Sequence, residues 1–394
     1  MTISRRSLIQ TAGVAAMASP YTSAATMPPP QFEGKDTPKI ALSMGDGGRA
    51  TAPATPDAPP VDPLRRIKQL GVDWVLFGGP PIPWDEARLR EQVDRVKAAG
   101  LTLGNLMIAG FPNAIYGRPG RDEEIEKVIQ SIKAAGKVGI PVVEYNWYAH
   151  RAMEGYFEEP DPVRTGASWT GFDYELVRTP GRQYAVAPKP DEAETKFKDL
   201  PPLPNEGAHT LEEMWGTIAY FLKRVVPEAE KAGVRLALHP NDPPAPISRG
   251  SQQIMGSVDG WKHLIEIVNS PANGITFDCG VTREMGQNPV EVCAYFASRD
   301  RINHVHFRNV KVKKPYERYS EVFIDEGDNN MFLVMKELIK HKYTRELYPE
   351  HPRALDYDRE RGRIGGYPGG GGYASYAFQV GYARAMMQAA LASS

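Results

Sequence analysis

The chain contains 394 residues, and at about 150 residues per domain this allows two or three domains or one large α/β barrel. Its 47 Lys and Arg residues nearly balance its 48 Asp and Glu residues, so no excess positive charge is available to hold the phosphates of a nucleic acid. The 41% hydrophobic content indicates a globular protein, and two cysteines allow one bridge at most, which excludes a disulfide framework.

The first 25 residues have the features of an export signal. Arg5 and Arg6 begin it, an Ala-rich apolar run follows over residues 8–18, and the small residues at 23–25 suit cleavage. The arginine pair resembles a twin-arginine signal, and the apolar run is about half the roughly 20 residues of a membrane span. The pattern predicts a removed signal over residues 1–25, a periplasmic protein and no permanent membrane span. A disordered basic tail is the alternative.

A linker is predicted over residues 26–38, and a single domain over residues 39–394. In this domain, short apolar runs alternate with longer amphipathic segments. Eight runs predict strands: residues 40–44, 74–77, 101–108, 141–145, 234–238, 274–277, 302–307 and 343–348. Eight alternating β/α units predict a closed (β/α)8 TIM barrel. A doubly wound open sheet is the alternative, and no Gly-rich dinucleotide motif after the first strand supports it.

The amphipathic segments predict helices over residues 84–99, 123–135, 211–232, 331–341 and 375–392. Gly100 and Gly136 are each predicted to end a helix, because glycine readily adopts the left-handed conformation of a helix stop. Residues 149–204 are rich in Pro and too long for a simple connection, which predicts a lid-like insertion after strand four. The Gly-rich residues 362–372 predict a flap or a surface loop.

The last four predicted strands each end in side chains that bind metals. His239 follows strand five directly, Asp278 ends strand six, His306 lies in strand seven and Glu350 follows strand eight. The C-terminal ends of the strands face the functional mouth of such a barrel. We therefore expect these four side chains to converge around one divalent cation such as Mn²⁺, Mg²⁺, Co²⁺ or Zn²⁺.

Strand alternation sharpens the choice of ligands. His304 and His306 project to the same side of their strand, and His306 is nearer the mouth, so His304 is expected to pack beneath it. Asp278 and Cys279 cannot both point inward while the strand continues, so Cys279 is the alternative to Asp278. A thiolate would favour Zn²⁺, whereas a carboxylate leaves a nitrogen and oxygen ligand set better suited to Mn²⁺ or Mg²⁺. Asp278 is the favoured ligand.

Four segments together resemble the metal-dependent mannonate dehydratase family. They are residues 239–244 (HPNDPP), 270–277 (SPANGITF), 305–310 (VHFRNV) and 372–376 (GYASY). The resemblance implies a xylose-isomerase-like barrel, a hydro-lyase that converts D-mannonate to 2-keto-3-deoxy-D-gluconate and water, and Mn²⁺ or a similar ion.

The resemblance also implies roles for individual residues. His239 and His306 match metal-ligand positions of the family, and Glu350 falls where the family carries a ligating Asp. His351 and Tyr373 match residues proposed for proton transfer, which makes His351 the candidate base and Tyr373 the candidate acid.

The sequence departs from the family pattern at three places. The family's metal-binding Cys directly follows the Thr–Phe pair, where this chain has Asp278. Glu350 is one methylene longer than the family's Asp. Residues 43–46 (SMGD) stand where the family has an Arg-Trp-Tyr-Gly start. These differences affect the expected substrate more than the expected class of reaction.

A sugar acid also needs anchors for its carboxylate and hydroxyl groups. Arg308 and Asn309 are candidates because a guanidinium can grip a carboxylate with two parallel bonds. Asn146 and Arg151 are candidates from the side of the predicted lid. The predicted partner is thus a small-molecule sugar acid or sugar, and a homo-oligomer is compatible with the sequence, although nothing in it locates an interface.

Mn²⁺ is the favoured ion, with Mg²⁺, Co²⁺, Fe²⁺ and Zn²⁺ as alternatives. Three other functions are compatible with the same candidate residues. They are a sugar isomerase or epimerase, another metal-dependent carbohydrate lyase, and an exported sugar-binding protein without catalytic activity.

Overall fold

The computed structural model describes residues 33–43, 62–178, 185–186, 202, 205–245, 247–360 and 367–393. The predicted signal, most of the predicted linker and parts of the predicted lid and Gly-rich loop lie outside these residues. Among the helices of the described ranges, none is both long enough and apolar enough to cross a membrane.

The described residues form strands and helices in the following chain order. The strands are β1 Lys39–Leu42, β2 Trp74–Gly78, β3 Thr102–Ile108, β4 Val142–Tyr145, β5 Tyr156–Pro160, β6 Ser168–Asp173, β7 Ala185–Val186, β8 Arg235–Leu238, β9 Ile247–Ser248, β10 Ser251–Gln252, β11 Asn273–Asp278, β12 Ile302–His306, β13 Asn309–Lys314, β14 Arg318–Val322 and β15 Glu346–Tyr348. The α-helices are α1 Pro63–Gln69, α2 Glu86–Ala98, α3 Pro112–Tyr116, α4 Arg121–Val138, α5 Leu211–Ala232, α6 Val258–Ile267, α7 Cys279–Glu284, α8 Pro289–Ala297, α9 Met331–Lys340, α10 Asp356–Glu360 and α11 Tyr373–Ala392.

Eight parallel strands close into a barrel in the order β1, β15, β12, β11, β8, β4, β3 and β2. Pairing of β1 with β15 on one side and with β2 on the other closes the ring. Each of the eight predicted strands overlaps one barrel strand, and at least one α-helix lies between successive barrel strands. The predicted (β/α)8 barrel is confirmed, and the open-sheet alternative is wrong.

The barrel strands are buried on both faces, as parallel strands covered by helices must be. In β4, all four residues of the sequence Val-Val-Glu-Tyr are buried, so a carboxylate, Glu144, lies inside the barrel. Outside the barrel, the ring of Phe221 in α5 lies 4.9 Å from Trp147 and 5.6 Å from Phe111, measured between ring centroids. A capping box formed by Thr210 and Glu213 begins α5.

Two glycines follow the ends of helices, and a third lies where two helices pack closely. Gly100 directly follows the C-cap of α2 and has a φ of 73°, as predicted. Gly136 does not end α4, which is a correction: the helix continues to Val138, and Gly139, with a φ of 83°, caps it. A Cβ atom on Gly136 would lie 2.3 Å from the carbonyl oxygen of Ala232. The sequence places glycine there because α4 and α5 pack closely at this point.

A second sheet has the strand order β13, β14, β6, β5 and β7, and we call it the accessory sheet. Two separate insertions build it: β5, β6 and β7 follow barrel strand β4, whereas β13 and β14 follow barrel strand β12. Its strands β6 and β14 pair antiparallel from Arg318 and Asp173 to Glu321 and Thr170. The described part of residues 149–204 therefore contributes strands to this sheet, and its action as a lid stays a prediction.

Candidate metal centre and active site

Four predicted ligands come together at the C-terminal ends of neighbouring barrel strands. His239 follows β8, Asp278 ends β11, His306 ends β12 and Glu350 follows β15. The register places Asp278 beside His306. One nitrogen or oxygen atom from each of the four lies within 4.8 Å of the others, and all four residues are buried. The structure thus brings together the group that the sequence predicted.

The two imidazoles present lone pairs to the same point. His239 donates through Nδ1 to the carbonyl of Pro240 at 2.7 Å, which leaves the lone pair on Nε2. His306 Nε2 faces the carboxylate of Glu144 at 3.5 Å, so a proton there leaves the lone pair on Nδ1. These two free nitrogens are 3.1 Å apart. A metal-binding histidine commonly donates its other N–H group to a carbonyl or carboxylate. His239 makes this hydrogen bond, and Nε2 of His306 faces a carboxylate at the longer distance of 3.5 Å.

Two carboxylates complete the group. Oε1 of Glu350 lies 3.0 Å, and Oδ2 of Asp278 3.7 Å, from Nδ1 of His306. Ligands about 2.1 Å from a common ion are roughly 3 to 4.2 Å apart, and these distances fall in that range. Oε1 of Glu350 is buried and accepts no hydrogen bond. The four converging nitrogen and oxygen atoms are suitable donors for a divalent metal ion, so the residues fit such an ion.

The protonation of the two histidines follows from their neighbours. Burial alone would lower the pKa of His306, but the carboxylates of Glu350 and Glu144 outweigh it and hold that pKa well above its usual range. Burial and the nearby charge on His306 lower the pKa of His239. The carboxylates that raise the pKa of His306 would also favour a bound cation.

Asp278, rather than Cys279, faces the other ligands. Asp278 caps the short helix α7 through Oδ1, which accepts from the N–H group of Val281 at 2.8 Å. Its Oδ2 lies 3.7 Å from Nδ1 of His306 and accepts from Nε of Arg308 at 3.0 Å. Cys279 begins the helix and packs in the hydrophobic core. Burial raises the pKa of its thiol well above the usual range, which disfavours a thiolate ligand.

Arg308 lies inside the site as a structural charge. Its side chain is 2% exposed, and its guanidinium lies 3.0 Å from Asp278, 3.1 Å from Glu350 and 2.7 Å from Glu284. Asp242 is a further partner at 3.3 Å. Protein carboxylates thus lie beside all three nitrogens of the guanidinium, which disfavours the predicted role of Arg308 as a substrate anchor.

Asn309 also has a structural role in place of the predicted contact with substrate. Its side-chain N–H group donates to the carbonyl of Ile324 at 2.9 Å, and its oxygen accepts from the backbone N–H groups of Val310 and Asn329 at 3.0 Å. Both polar atoms of the amide are therefore occupied by the backbone. The remaining candidate anchors lie closer to solvent.

Asn146 and Arg151 lie just beyond the end of β4 and are partly buried. The amide of Asn146 contacts the sulfur of Met107 at 3.6 Å. The side chain of Arg151 is 37% exposed, and its Nε donates to the carbonyl of Asp242 at 2.5 Å. Arg151 thus presents a partly accessible guanidinium beside the buried ligands.

His351 stands next to the candidate ligand Glu350, with Nε2 at 3.6 Å from the second carboxylate oxygen of that residue. Its backbone has a φ of 49°, in the left-handed region that non-glycine residues seldom occupy, and such conformations cluster at active sites. Its side chain is 21% exposed. Burial would lower the pKa of His351, but Glu321 and Glu350 raise it above its usual value.

Tyr373, the candidate acid, contacts α1, and its role in proton transfer stays a prediction. Its hydroxyl donates to the carbonyl of Arg66 in α1 at 3.3 Å, and the guanidinium of Arg66 lies 5.5 Å from its ring centroid. Tyr367 is the tyrosine that packs on His351, with 4.8 Å between ring centroids.

Two carboxylates that contact histidines of the site were not predicted from the sequence. Glu144 faces His306, and the only signal for it is a charged residue in the middle of an otherwise apolar strand. Glu321 lies in β14 of the accessory sheet and contacts His351 at 2.8 Å. Nothing in the sequence connects a residue of this insertion with a barrel strand end. His304 packs against His306 as expected, with 4.9 Å between ring centroids, and neither of its ring nitrogens has a hydrogen-bond partner.

Comparison with known proteins adds an independent observation. Residues 59–392 match the family model of D-mannonate dehydratase (UxuA). A mannonate dehydratase of Streptococcus equi subsp. zooepidemicus is 30% identical over 311 residues, covering 76% of this chain and 84% of that protein. A mannonate dehydratase of Thermotoga petrophila is 28% identical over 340 residues, covering 77% and 89%.

A solved structure shares the fold. The crystal structure of mannonate dehydratase from Streptococcus suis serotype 2 superposes with a TM-score of 0.71 at 24% sequence identity, covering 91% of this chain and 94% of that one.

Proposed function

Since the chain belongs to the D-mannonate dehydratase (UxuA) family, we propose that it removes water from D-mannonate and releases 2-keto-3-deoxy-D-gluconate. The observation that carries this proposal is the buried group of His239, Asp278, His306 and Glu350 with His351 beside it. A cation site with an adjacent, partly exposed imidazole suits removal of a proton next to a carboxylate.

Dehydration breaks the C2–H bond and the C3–O bond of the sugar acid. In our proposal, Nε2 of His351 takes the proton from C2, and the electron pair left behind forms the C2=C3 double bond as hydroxide departs from C3. The departing hydroxide needs one proton to become water, and the protonated imidazole holds one. The enol that remains then converts to the keto acid. One imidazole can therefore serve both transfers, without the proton from Tyr373 that the sequence suggested.

A divalent cation held by the four ligands supplies Lewis-acid stabilisation of the negative charge that builds on the substrate carboxylate. We favour Mn²⁺ because the donor set is two imidazole nitrogens and two carboxylate oxygens, with the thiol of Cys279 packed in the core. The alternatives are Mg²⁺, Co²⁺, Fe²⁺ and Zn²⁺.

Arg151 is our candidate for binding the substrate carboxylate. The guanidinium groups of Arg308 and Arg353 are buried and paired with carboxylates of the protein. Arg151 is 37% exposed at the same end of the barrel. Its Nε donates to the Asp242 carbonyl, and its Nη2 lies 3.6 Å from the carboxylate of Asp242, so the exposed part of the guanidinium is left for a ligand. Asn146 stands next to the same strand end and is a candidate for a substrate hydroxyl.

The protein as a whole should be tested with and without metal. We would strip the purified protein with a chelator, reload it with Mn²⁺, and follow D-mannonate and a panel of other aldonates by mass spectrometry. The expected product is lighter than the substrate by one water. The His351→Asn variant is expected to lower turnover by roughly 10²- to 10⁴-fold while it still binds the ion.

Other outcomes would point to the remaining functions. A product of unchanged mass from a keto or aldehyde sugar would support an isomerase or epimerase. Ligand-induced stabilisation that survives His351→Ala, with no turnover at any metal concentration, would support a binding protein and overturn the proposed activity.

We also propose that the protein is exported to the periplasm. The basis is the sequence of residues 1–25, with its arginine pair and short apolar run. Twin-arginine export carries folded proteins, which suits a chain that acquires its metal ion before transport.

A further inference from the structure

We propose that Glu321 of the accessory sheet is a positioning residue that holds the proton of His351 on Nδ1 and so leaves Nε2 as the basic nitrogen. This inference rests on the proposed function of His351 as the base. It adds a residue from outside the barrel to the catalytic apparatus.

The first support is the contact itself. Oε2 of Glu321 lies 2.8 Å from Nδ1 of His351, a normal distance for a charge-assisted hydrogen bond. Nε2 of the same ring points the other way, at 3.6 Å from the ligand Glu350. A carboxylate can only accept a hydrogen bond, so the neutral ring must carry its proton on Nδ1 and its lone pair on the metal side.

The second support is that Glu321 is itself firmly held. It is 3% exposed, and Arg353 contacts the same oxygen, Oε2, at 3.0 Å. Arg353 also donates through Nε to the carbonyl of His351 at 2.8 Å. The carboxylate, the guanidinium and the histidine backbone thus form one connected unit, which keeps Glu321 charged and fixed in place.

The third support is the unusual backbone of His351. A residue with a φ of 49° is not held there by its own conformational preference, so tertiary contacts must fix it. Glu321 holds one ring nitrogen, and Tyr367 packs on the ring with 4.8 Å between centroids. A base must be oriented as well as basic, and these contacts supply the orientation.

The alternation of side chains along β14 places Glu321 on the face of the accessory sheet that faces the barrel. Tyr319 and Glu321 point to one face of β14, and Ser320 points to the other, where its hydroxyl donates to Glu159 at 2.6 Å. Tyr319 on the first face contacts Tyr156, which in turn donates to Asp242 at the end of the barrel. The face that carries Glu321 is therefore the one that packs on the active site.

The wild-type protein gives the most direct test. Histidines labelled with ¹⁵N, in protein loaded with diamagnetic Mg²⁺ or Zn²⁺, would be observed by NMR at a pH above the titration of the ring. The signals of His351 are assigned by their loss in His351→Asn. We expect a proton on Nδ1 and none on Nε2. A proton on Nε2 would overturn the proposal, whether or not D-mannonate proves to be the substrate.

Kinetics give the second test. Glu321→Gln can donate to Nδ1 and so favour the wrong tautomer, and we expect kcat for D-mannonate to fall by about 10²-fold. KM and the metal content are expected to stay as in the wild type, since Glu321 is not a ligand. An unchanged kcat would contradict the proposal, and so would a loss that follows the metal content.

Glu159→Gln is the matched control. It removes a carboxylate from the same sheet, on the face away from His351. It is expected to keep both the wild-type kcat and the wild-type tautomer. If wild-type protein converts no aldonate at all, the proposed function fails, while the NMR measurement still decides the role of Glu321.

Discussion

The two ring nitrogens of His306 face different partners, and both matter for a bound cation. Nδ1 points to the other three ligands, whereas Nε2 points into the barrel at Glu144. Glu144 is itself held by the hydroxyl of Thr276 at 2.8 Å and the amide of Asn105 at 3.3 Å. The negative charge of Glu144, 3.5 Å from Nε2, favours a proton on that nitrogen and leaves Nδ1 to face a bound cation.

We predict that Glu144→Gln weakens binding of the metal by about 10- to 100-fold, because the ring loses its charged partner. Competition with a chelator measures the affinity. Glu346→Gln is the control, because it makes the same change in another buried carboxyl group of the barrel, whose pKa is raised by burial. Equal affinities for the wild type and Glu144→Gln would show that this contact does not tune the site.

A second prediction separates the two neighbouring candidates for the ligand. Asp278→Asn keeps an oxygen to cap α7 but loses the negative charge that faces His306, so we expect the metal content of the purified protein to fall. Cys279→Ala is expected to retain its metal, because the thiol packs in the core. Elemental analysis of both variants provides the measurement, and the opposite pattern would assign the ligand to Cys279.

At the scale of the element, the barrel strands are accessible to prediction and the accessory sheet is not. Each barrel strand is an apolar run buried on both faces, and its partners in the ring follow from the β/α alternation. The strands β6 and β14 are partly polar and pair across 145 residues, as between Asp173 and Arg318. Sequence periodicity carries no information about such a pairing. Glu144 gives a weak signal in the sequence because it is a charged residue in an apolar barrel strand. Glu321 gives no signal, because its position depends on the pairing of β14 with β6.

The close packing of α4 on α5 leads to a third prediction. Gly136→Ala would bring a Cβ atom to 2.3 Å from the carbonyl oxygen of Ala232, so we expect it to lower the free energy of unfolding by about 1 to 3 kcal/mol. Gly216→Ala in α5 meets no atom within 4 Å and should stabilise the protein by about 0.5 to 1 kcal/mol. Urea denaturation compares the two, and equal effects would argue against this contact.

At the scale of the whole molecule, the ligands came together as predicted because the barrel dictates where strand ends meet. The roles of Arg308, Asn309 and Tyr373 were harder to foresee, since they depend on which neighbours each side chain finds after folding. Arg308 looks like a substrate anchor in the sequence, yet the structure surrounds it with carboxylates. Motifs locate a site, whereas packing decides which of its charges remain free.

The proposed export gives a prediction for the intact chain. The double variant Arg5→Lys, Arg6→Lys is expected to remain in the cytoplasm, because a twin-arginine signal requires the arginine pair and not merely its charge. Cell fractionation followed by immunoblotting locates the protein. Arg65→Lys, Arg66→Lys changes a second arginine pair, in α1, and should not alter the location. Periplasmic recovery of both variants would contradict a twin-arginine route.

The accessory sheet has a consequence for the order in which the protein matures. Barrel strands β8, β11 and β12 lie between β6 and β14 in the sequence. Most of the chain must therefore be synthesised before β14 can pair with β6. We predict that, after dilution from denaturant, helical circular dichroism returns before enzymatic turnover. Simultaneous recovery of both signals would contradict this sequence of events. A nascent chain would then have no enzymatic activity until its last third had been synthesised.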